Sequence, residues 1–434
     1  MSISGARHPR SAGAALACSA ALALGIGLGE PPSAAGSAPD LAFKTPVARG
    51  GAQAQKSVSA GQLSSGLARQ LKRSGGVAGA FVSDPTTGAV LFSRRASRAF
   101  QIASNMKLFT TAAALSRIGP EERFETRLVA PGGFVAGVVQ GDLILEGGGD
   151  PSLTKQGLTR LAAEARAAGL TGVNGRLRYD ESIFDRRRAV RRKGIRGGPF
   201  AELGRLSGLS FHGGRSADPA RSAALSMIGI LRKRGVRVPK KTGRGNAPDT
   251  PPPLGLVGEV ESAPLSALAR STNTFSINFY AEMLLKSIAA TVTGRGTTAG
   301  GAAITRSFAA QAGGSLRTQN GSGLSRADRA SPRSVSALLS SMLQEEQQVR
   351  SAFLNSLAVA GATGTLARRM RGTPAQGRCV GKTGTLIAVS ALSGYCEVAP
   401  DRFIVFSILM NRVNIRRAHL AQDRMAALIA SYSP

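Results

Sequence analysis

Apolar and polar positions alternate in two short runs, Ala78–Ser83 and Ala89–Ser93, on either side of Asp84-Pro85-Thr86-Thr87-Gly88. Period-two patterning around turn-forming residues predicts a β-hairpin. The period then lengthens. From Ser104 through Leu108 to Leu115 the apolar spacing predicts a helix with a serine near its start, closed by Gly119-Pro120. Helical patterning returns over 219–234, opened by Asp218-Pro219, and again over 279–289 and 332–343. Three apolar runs, 377–385, 391–398 and 402–410, predict consecutive antiparallel strands, and 414–430 an amphipathic closing helix. No internal repeat is visible.

Between about Glu122 and Ser262 the composition shifts to short strands, glycine-rich turns and basic loops, including seven cations from Arg186 to Arg196. This stretch, 124–262, is expected to be an inserted, mainly-β domain that interrupts a two-part domain, 61–123 and 263–434. Only 168 residues separate Leu108 from Phe275 inclusive, which leaves room for one inserted domain. Pro248 and Pro251–Pro253 mark a linker near its end. Residues 39–60 carry no period and predict a linker or frayed terminus. Residues 1–38 combine Arg7 and Arg10, an apolar run from Ala14 to Leu28 and a small-residue stretch beyond it. That order predicts a cleaved secretory signal peptide, hence an extracytoplasmic location; a retained anchor is the alternative. Cys18 lies inside the apolar run and makes a poor lipobox.

Composition narrows the chemistry. The 434 residues carry 56 Lys+Arg against 25 Asp+Glu, a formal charge of +31. Aromatics are 5%, Trp is absent and no nucleic-acid motif is present, so nucleic acid is not the expected partner. Outside the cytoplasm an anionic wall polymer is more available, and the Arg186–Arg196 loop would serve it; a merely solvated basic surface is the other reading. Three histidines and three cysteines, widely scattered, give no metal or cofactor site. Cys379 and Cys396 would face each other across a hairpin centred near Ile387-Ala388, either as a disulfide or as two buried thiols.

So few histidines argue against a Ser-His-Asp triad, and a hydrolase of this composition needs another base. A lysine one helical turn after a serine can take the hydroxyl proton once burial or nearby positive charge lowers its pKa. Ser104-Asn105-Met106-Lys107 fits, and so does Ser152-Leu153-Thr154-Lys155. Serine-lysine enzymes add two further elements in chain order, an S-x-N and a K-T-G. Ser276-Ile277-Asn278 and Lys382-Thr383-Gly384 supply them, with Ser271-Thr272-Asn273 and Lys241-Thr242-Gly243 as competing matches. The latter precedes either S-x-N, so order disfavours it.

At these residues the chain resembles the low-molecular-mass class C penicillin-binding proteins, D-alanyl-D-alanine carboxypeptidases and endopeptidases of the bacterial cell wall. The likeness covers about residues 60–430. It rests on Ala103–Thr111, Ser276–Glu282 and Gly381–Leu386, with Gly147–Leu153, Gly321–Arg326 and Gly364–Leu366 in support. It selects Ser104 over Ser152 and Ser276 over Ser271. The resemblance implies an α/β (α+β) fold of the penicillin-binding-protein/β-lactamase type, an antiparallel sheet flanked by helices. It implies Ser104 as nucleophile, Lys107 as base, and Ser276 and Lys382 as a proton relay. Asn278 would hold the acyl amide, Lys382 and Thr383 the substrate carboxylate, and the N–H groups of Ser104 and Thr385 the oxyanion, with Gly384 leaving room beside the strand. Asp180, Phe184 and Arg326 match positions near the pocket for the stem-peptide side chain. Peptidoglycan stem peptides and β-lactam inhibitors are the implied partners. A catalytically weak wall-binding protein and a β-lactamase on the same fold are the alternatives. Asn320, Thr363 and Ile387 depart from residues common in the family, and Asn320 removes an expected structural salt bridge.

Overall fold

Leu63, Leu67 and Leu71, spaced four apart and buried, seat a first helix, Ala60–Arg73. Its start is a capping box, in which the Ser59 side chain accepts from the Gln62 N–H and the Gln62 side chain from that of Ser59. The folded chain therefore begins earlier than the linker expected up to residue 60. The computed structural model describes residues 57–189, 203–252 and 255–433. The expected signal peptide, nearly all of the expected linker and the 190–202 part of the basic loop lie outside the described residues.

The central sheet is antiparallel, with the order Ala358–Val359, Cys379–Leu386, Val389–Ala399, Arg402–Asn411, Val77–Ser83, Val90–Arg94. The five longer strands are those that the period-two runs predicted, with ends shifted by one or two residues; the short Ala358–Val359 strand was not predicted. Alternation divides their side chains between two layers. Ala78, Ala80, Val82, Cys396 and Phe406 join Leu63, Leu67, Met425 and Ile429 of the first and last helices in one core. On the opposite face Tyr395 donates to the Leu339 carbonyl (2.8 Å) of helix Pro332–Met342, and Arg333 lies over the Phe81 ring. Each fully buried leucine here contributes about 2 kcal/mol. The last helix, Ile415–Ala430, is capped by Asn414.

Helix Met106–Arg117 runs through the middle of the described molecule, every residue from Met106 to Leu115 buried. Helices Leu265–Thr274, Asn278–Thr293, Thr298–Gln311 and Gln347–Ser356 pack around it. Only the second of these four was legible as a period, because the others are short or rich in Ala, Gly and Ser.

Residues 125–261 build a separate four-stranded sheet, ordered Leu256–Glu261, Glu125–Val129, Leu143–Gly147, Leu177–Asp180, the last two parallel. The first and last of these strands in the chain pair with each other, so the segment leaves and returns at one place. Helices Lys155–Ala167 and Pro219–Lys233 share its core. The segment is thus mixed α/β rather than mainly β.

Cys379 and Cys396 stand directly opposite in the register of strands Cys379–Leu386 and Val389–Ala399 and are disulfide-bonded, 17 residues apart. Closing a loop of that length restricts the unfolded chain by about 3 kcal/mol. We expect the Cys379→Ala/Cys396→Ala variant to unfold at a lower denaturant midpoint, by about that free energy, than the oxidised parent. Coincident unfolding curves would contradict the bond as a stabilising element.

Candidate active site

Ser104 sits on a single 3-10 turn, Ala103–Asn105, that leads into helix Met106–Arg117. Two close approaches fix the turn. A Cβ on Gly384 would lie 2.7 Å from the Ile102 carbonyl oxygen and 3.1 Å from the Ser104 nitrogen, so the strand carrying Lys382 passes against the serine turn. Gly323, at φ +82°, lies so close that a Cβ would meet the Ala103 oxygen at 1.8 Å. A third tie comes from Asn105, whose Nδ2 donates to Ser393 Oγ (2.7 Å) in the central sheet. The serine itself is half-buried, open on one side.

Lys107 is fully buried one turn on. Its Nζ lies 3.0 Å from Ser104 Oγ, 2.7 Å from Asn278 Oδ1 and 2.9 Å from the Ser322 carbonyl. The last two partners can only accept. A neutral amine has two hydrogens and one lone pair, so these acceptors take both hydrogens and leave the lone pair for the Ser104 hydroxyl. Burial drives the amine towards that state, lowering its pKa to about 7, against the opposing field of Glu282.

Glu282 is the partner that sequence patterning missed. It lies fully buried one turn after Asn278 on helix Asn278–Thr293, and it accepts from the N–H groups of Gly321 (3.1 Å) and Ser322 (2.9 Å). It therefore holds the loop whose carbonyl holds Lys107. Burial raises its pKa, and the Ser322 side chain, the two loop amides and Lys107 lower it. The i, i+4 spacing from Asn278 was the available signal. Asn320, where the resemblance expects an acid, keeps this loop in shape without charge, its Oδ1 accepting from Gly323 N (2.9 Å).

Lys382 is also wholly buried, its Nζ donating to the Thr383 carbonyl (3.0 Å). Burial first and the Lys107 charge second push its pKa well below the ordinary value. Thr383 Oγ1 donates to Thr365 Oγ1 (2.9 Å), which brings Gly364–Leu366 to the site, while Thr385 is exposed. Ser276 occupies the connection between helices Leu265–Thr274 and Asn278–Thr293 at φ +61°, a strained value for a residue bearing a Cβ. That bend delivers Asn278 to Lys107; Ser276 Oγ itself has no hydrogen bond among the described residues.

The competing matches are put to other uses. Ser152 Oγ donates to Asp150 (2.6 Å), and no bond joins it to Lys155, which opens helix Lys155–Ala167. Asn273 Nδ2 donates to Thr111 Oγ1 and Ser356 Oγ, bracing the lysine helix from behind. Gly243 accepts from the Tyr179 N–H beside the 125–261 sheet. The three outlying positions are not drawn into the Ser-Lys-Asn cluster. Asp180 is buried, accepting from Ser182 N (2.8 Å) and Ala247 N (2.7 Å). Phe184 is buried among Leu203, Leu206, Phe279 and Met283, with Lys286 over its ring. Arg326 donates to Gln101 Oε1 and to the Ile387 carbonyl, both at 3.1 Å, at the open end of the Lys382 hairpin.

Comparison with known proteins gives a consistent set. The profile of the D-Ala-D-Ala carboxypeptidase 3 (S13) family matches residues 60–193 and 208–432. A D-alanyl-D-alanine carboxypeptidase of Actinomadura sp. (strain R39) is 32% identical over 448 residues, covering 83% of this chain and 82% of that protein. The carboxypeptidase DacB of Mycolicibacterium smegmatis is 28% identical over 81% of this chain and 79% of that protein. Among solved structures, penicillin binding protein 4 from Haemophilus influenzae superposes with a TM-score of 0.70 at 21% identity, covering 83% of this chain and 97% of that one.

Glu282→Gln removes the one buried negative charge that supports the ammonium form of Lys107 and strands one loop amide. We expect acylation by benzylpenicillin to slow about tenfold, a loss of about 1.4 kcal/mol, and its rising pH limb to move to lower pH. A wild-type profile in the variant would contradict the positioning role.

Proposed function

The chain belongs to the D-Ala-D-Ala carboxypeptidase 3 (S13) family, and from that we propose that it is a serine-type DD-carboxypeptidase, with DD-endopeptidase capacity, acting on peptidoglycan stem peptides outside the cytoplasm. The observation that carries the mechanism is the lone-pair geometry of Lys107 beside Ser104. Lys107 takes the Ser104 proton as Oγ attacks the carbonyl of the terminal D-Ala–D-Ala bond. The N–H groups of Ser104 and Thr385 hold the oxyanion. Lys107 passes that proton through Ser276 and Lys382 to the nitrogen of the departing D-alanine as the C–N bond breaks, leaving the acyl-enzyme and a neutral Lys107. Water, deprotonated by the same base, then adds to the ester carbonyl and restores Ser104.

Lys382 and Thr383 receive the substrate carboxylate. The anion opposes the burial that lowers the Lys382 pKa, so its arrival favours the protonated amine. Asn278 holds the acyl amide while its Oδ1 orients Lys107. Asp180, Phe184 and Arg326 are assigned to the side-chain pocket by resemblance. For Phe184 this means lining it from a buried position. The 124–262 segment, whose end strands pair, is read as the inserted domain. A signal peptide over 1–38 accounts for export; among the described residues no helix is long and apolar enough to cross a membrane. β-Lactams are inhibitors in this reading, as trapped acyl-enzymes, and anionic wall polymers are further partners.

Purified protein and its Ser104→Ala variant are incubated with benzylpenicillin and followed by intact mass. We expect one long-lived adduct on the parent and none on the variant. A short-lived adduct with antibiotic turnover would favour a β-lactamase, and no adduct on folded parent a wall-binding protein.

A further inference from the structure

Two adjoining cavities, about 180 and 560 Å3, open beside the end of the Lys382 hairpin and share Gln101, Arg326 and Arg329 as lining. The smaller is also lined by Arg98 and Arg412, the larger by Arg306 and Arg317, and no carboxylate lines either. Among the described residues Arg98, Arg306, Arg317, Arg329 and Arg412 form no ion pair. The four furthest from the centre, Arg98, Arg306, Arg317 and Arg412, are solvent-exposed. The neighbouring acid in the chain, Asp328, is buried beneath, with its Oδ1 accepting from Gln319 N (2.7 Å). These five guanidiniums, with no carboxylate among the lining residues, repel one another, an arrangement that makes physical sense where an anion supplies the missing charge.

We propose that this arginine-lined cleft binds a linear polyanion of the phosphodiester type, of the chemistry carried by anionic polymers of a cell envelope. A single carboxylate, such as the free end of a stem peptide, satisfies one or two guanidiniums. Here the five are spread over two adjoining cavities, which gives stations for several anionic groups along one strand, and guanidinium forks match phosphate oxygens in pairs. The location couples the cleft to catalysis. Gln101 lies three residues before Ser104 and pairs in register with Arg329, and it accepts the hydrogen bond of Arg326. A polymer seated there keeps the serine facing the wall to which the polymer is attached. The placement rests on the extracytoplasmic reading above, whereas the binding itself needs no catalysis.

The test uses the full chain and inorganic polyphosphate as probe. Binding is measured by fluorescence anisotropy of labelled polyphosphate at two salt concentrations, with benzylpenicillin acylation of the same samples as a check on fold and serine. Three proteins are compared: the parent, Arg306→Gln/Arg317→Gln/Arg329→Gln, and a control that removes equal charge elsewhere, Arg232→Gln/Lys233→Gln/Arg234→Gln. We expect salt-sensitive binding to the parent, at least tenfold weaker binding to the cleft variant, and near-parental binding to the control. Equal weakening in both variants would show that net charge alone attracts the polymer and would overturn the site, as would no binding to the parent. Should the triple variant lose acylation, Arg317→Gln alone, at an exposed position, gives the same decision with a threefold expected loss. A parent that binds polyphosphate but is never acylated would leave the cleft standing and sink the peptidase reading instead.

Discussion

The proposed chemistry depends on an amine placed where water cannot reach it. Lys107 is fully buried with a hydroxyl, an amide oxygen and a backbone carbonyl around its Nζ. Burying an ammonium there without a directly paired carboxylate is costly, and the amine relieves the cost by giving up its proton. In the proposed mechanism the same step that relieves this cost makes the base. Glu282 sets the limit: close enough to keep the lysine from discharging outright, it spends its own hydrogen-bonding capacity on the amides of Gly321 and Ser322.

Such a base is useful only if the serine cannot drift, and the surrounding fold is arranged for that. The serine turn is wedged between a glycine of the Lys382 strand and a glycine of the 320–323 loop, and Asn105 ties it to Ser393, which is in turn bonded to Ser407. The Lys382 strand is paired along its length with Val389–Ala399 and closed at its far end by the disulfide. Behind the lysine helix, Asn273 Nδ2 bridges the Thr111 and Ser356 hydroxyls. Paired strands thus carry Lys382 and Thr383, the groups proposed to meet substrate, while the open hairpin end leads to the arginine-lined cavities.

Much of this was legible in the sequence where a period was strong. The hairpin near residue 80, the three closing strands and the helices at 219, 278, 332 and 415 were marked by alternation, caps or proline. The helix at 60 was passed over although its capping box and four-residue leucine spacing were present, because the preceding Ala/Gly/Gln-rich stretch dominated the composition. Helix 298–311 left little amphipathic signal, being built from small residues that pack closely rather than from large apolar ones. At the site, chain order disfavoured Lys241-Thr242-Gly243 and the family resemblance chose among the S-x-x-K and S-x-N matches, and the geometry joins Ser104, Lys107 and Asn278 directly. What order could not reveal is support from a distance. Glu282, the Ser322 carbonyl and Asn273 act through tertiary proximity, and a carbonyl oxygen has no sequence signature at all.

The most direct measurement is the pH dependence of the acylation rate of the wild-type protein by benzylpenicillin, followed by intact mass over about pH 5 to about pH 10. A neutral Lys107 as base gives a rate that rises through about pH 7 as the amine loses its proton, then levels. A rate that climbs only as the solution approaches the ordinary lysine range, about pH 10, would mean that Lys107 is protonated at rest, and the account of the buried base would be wrong.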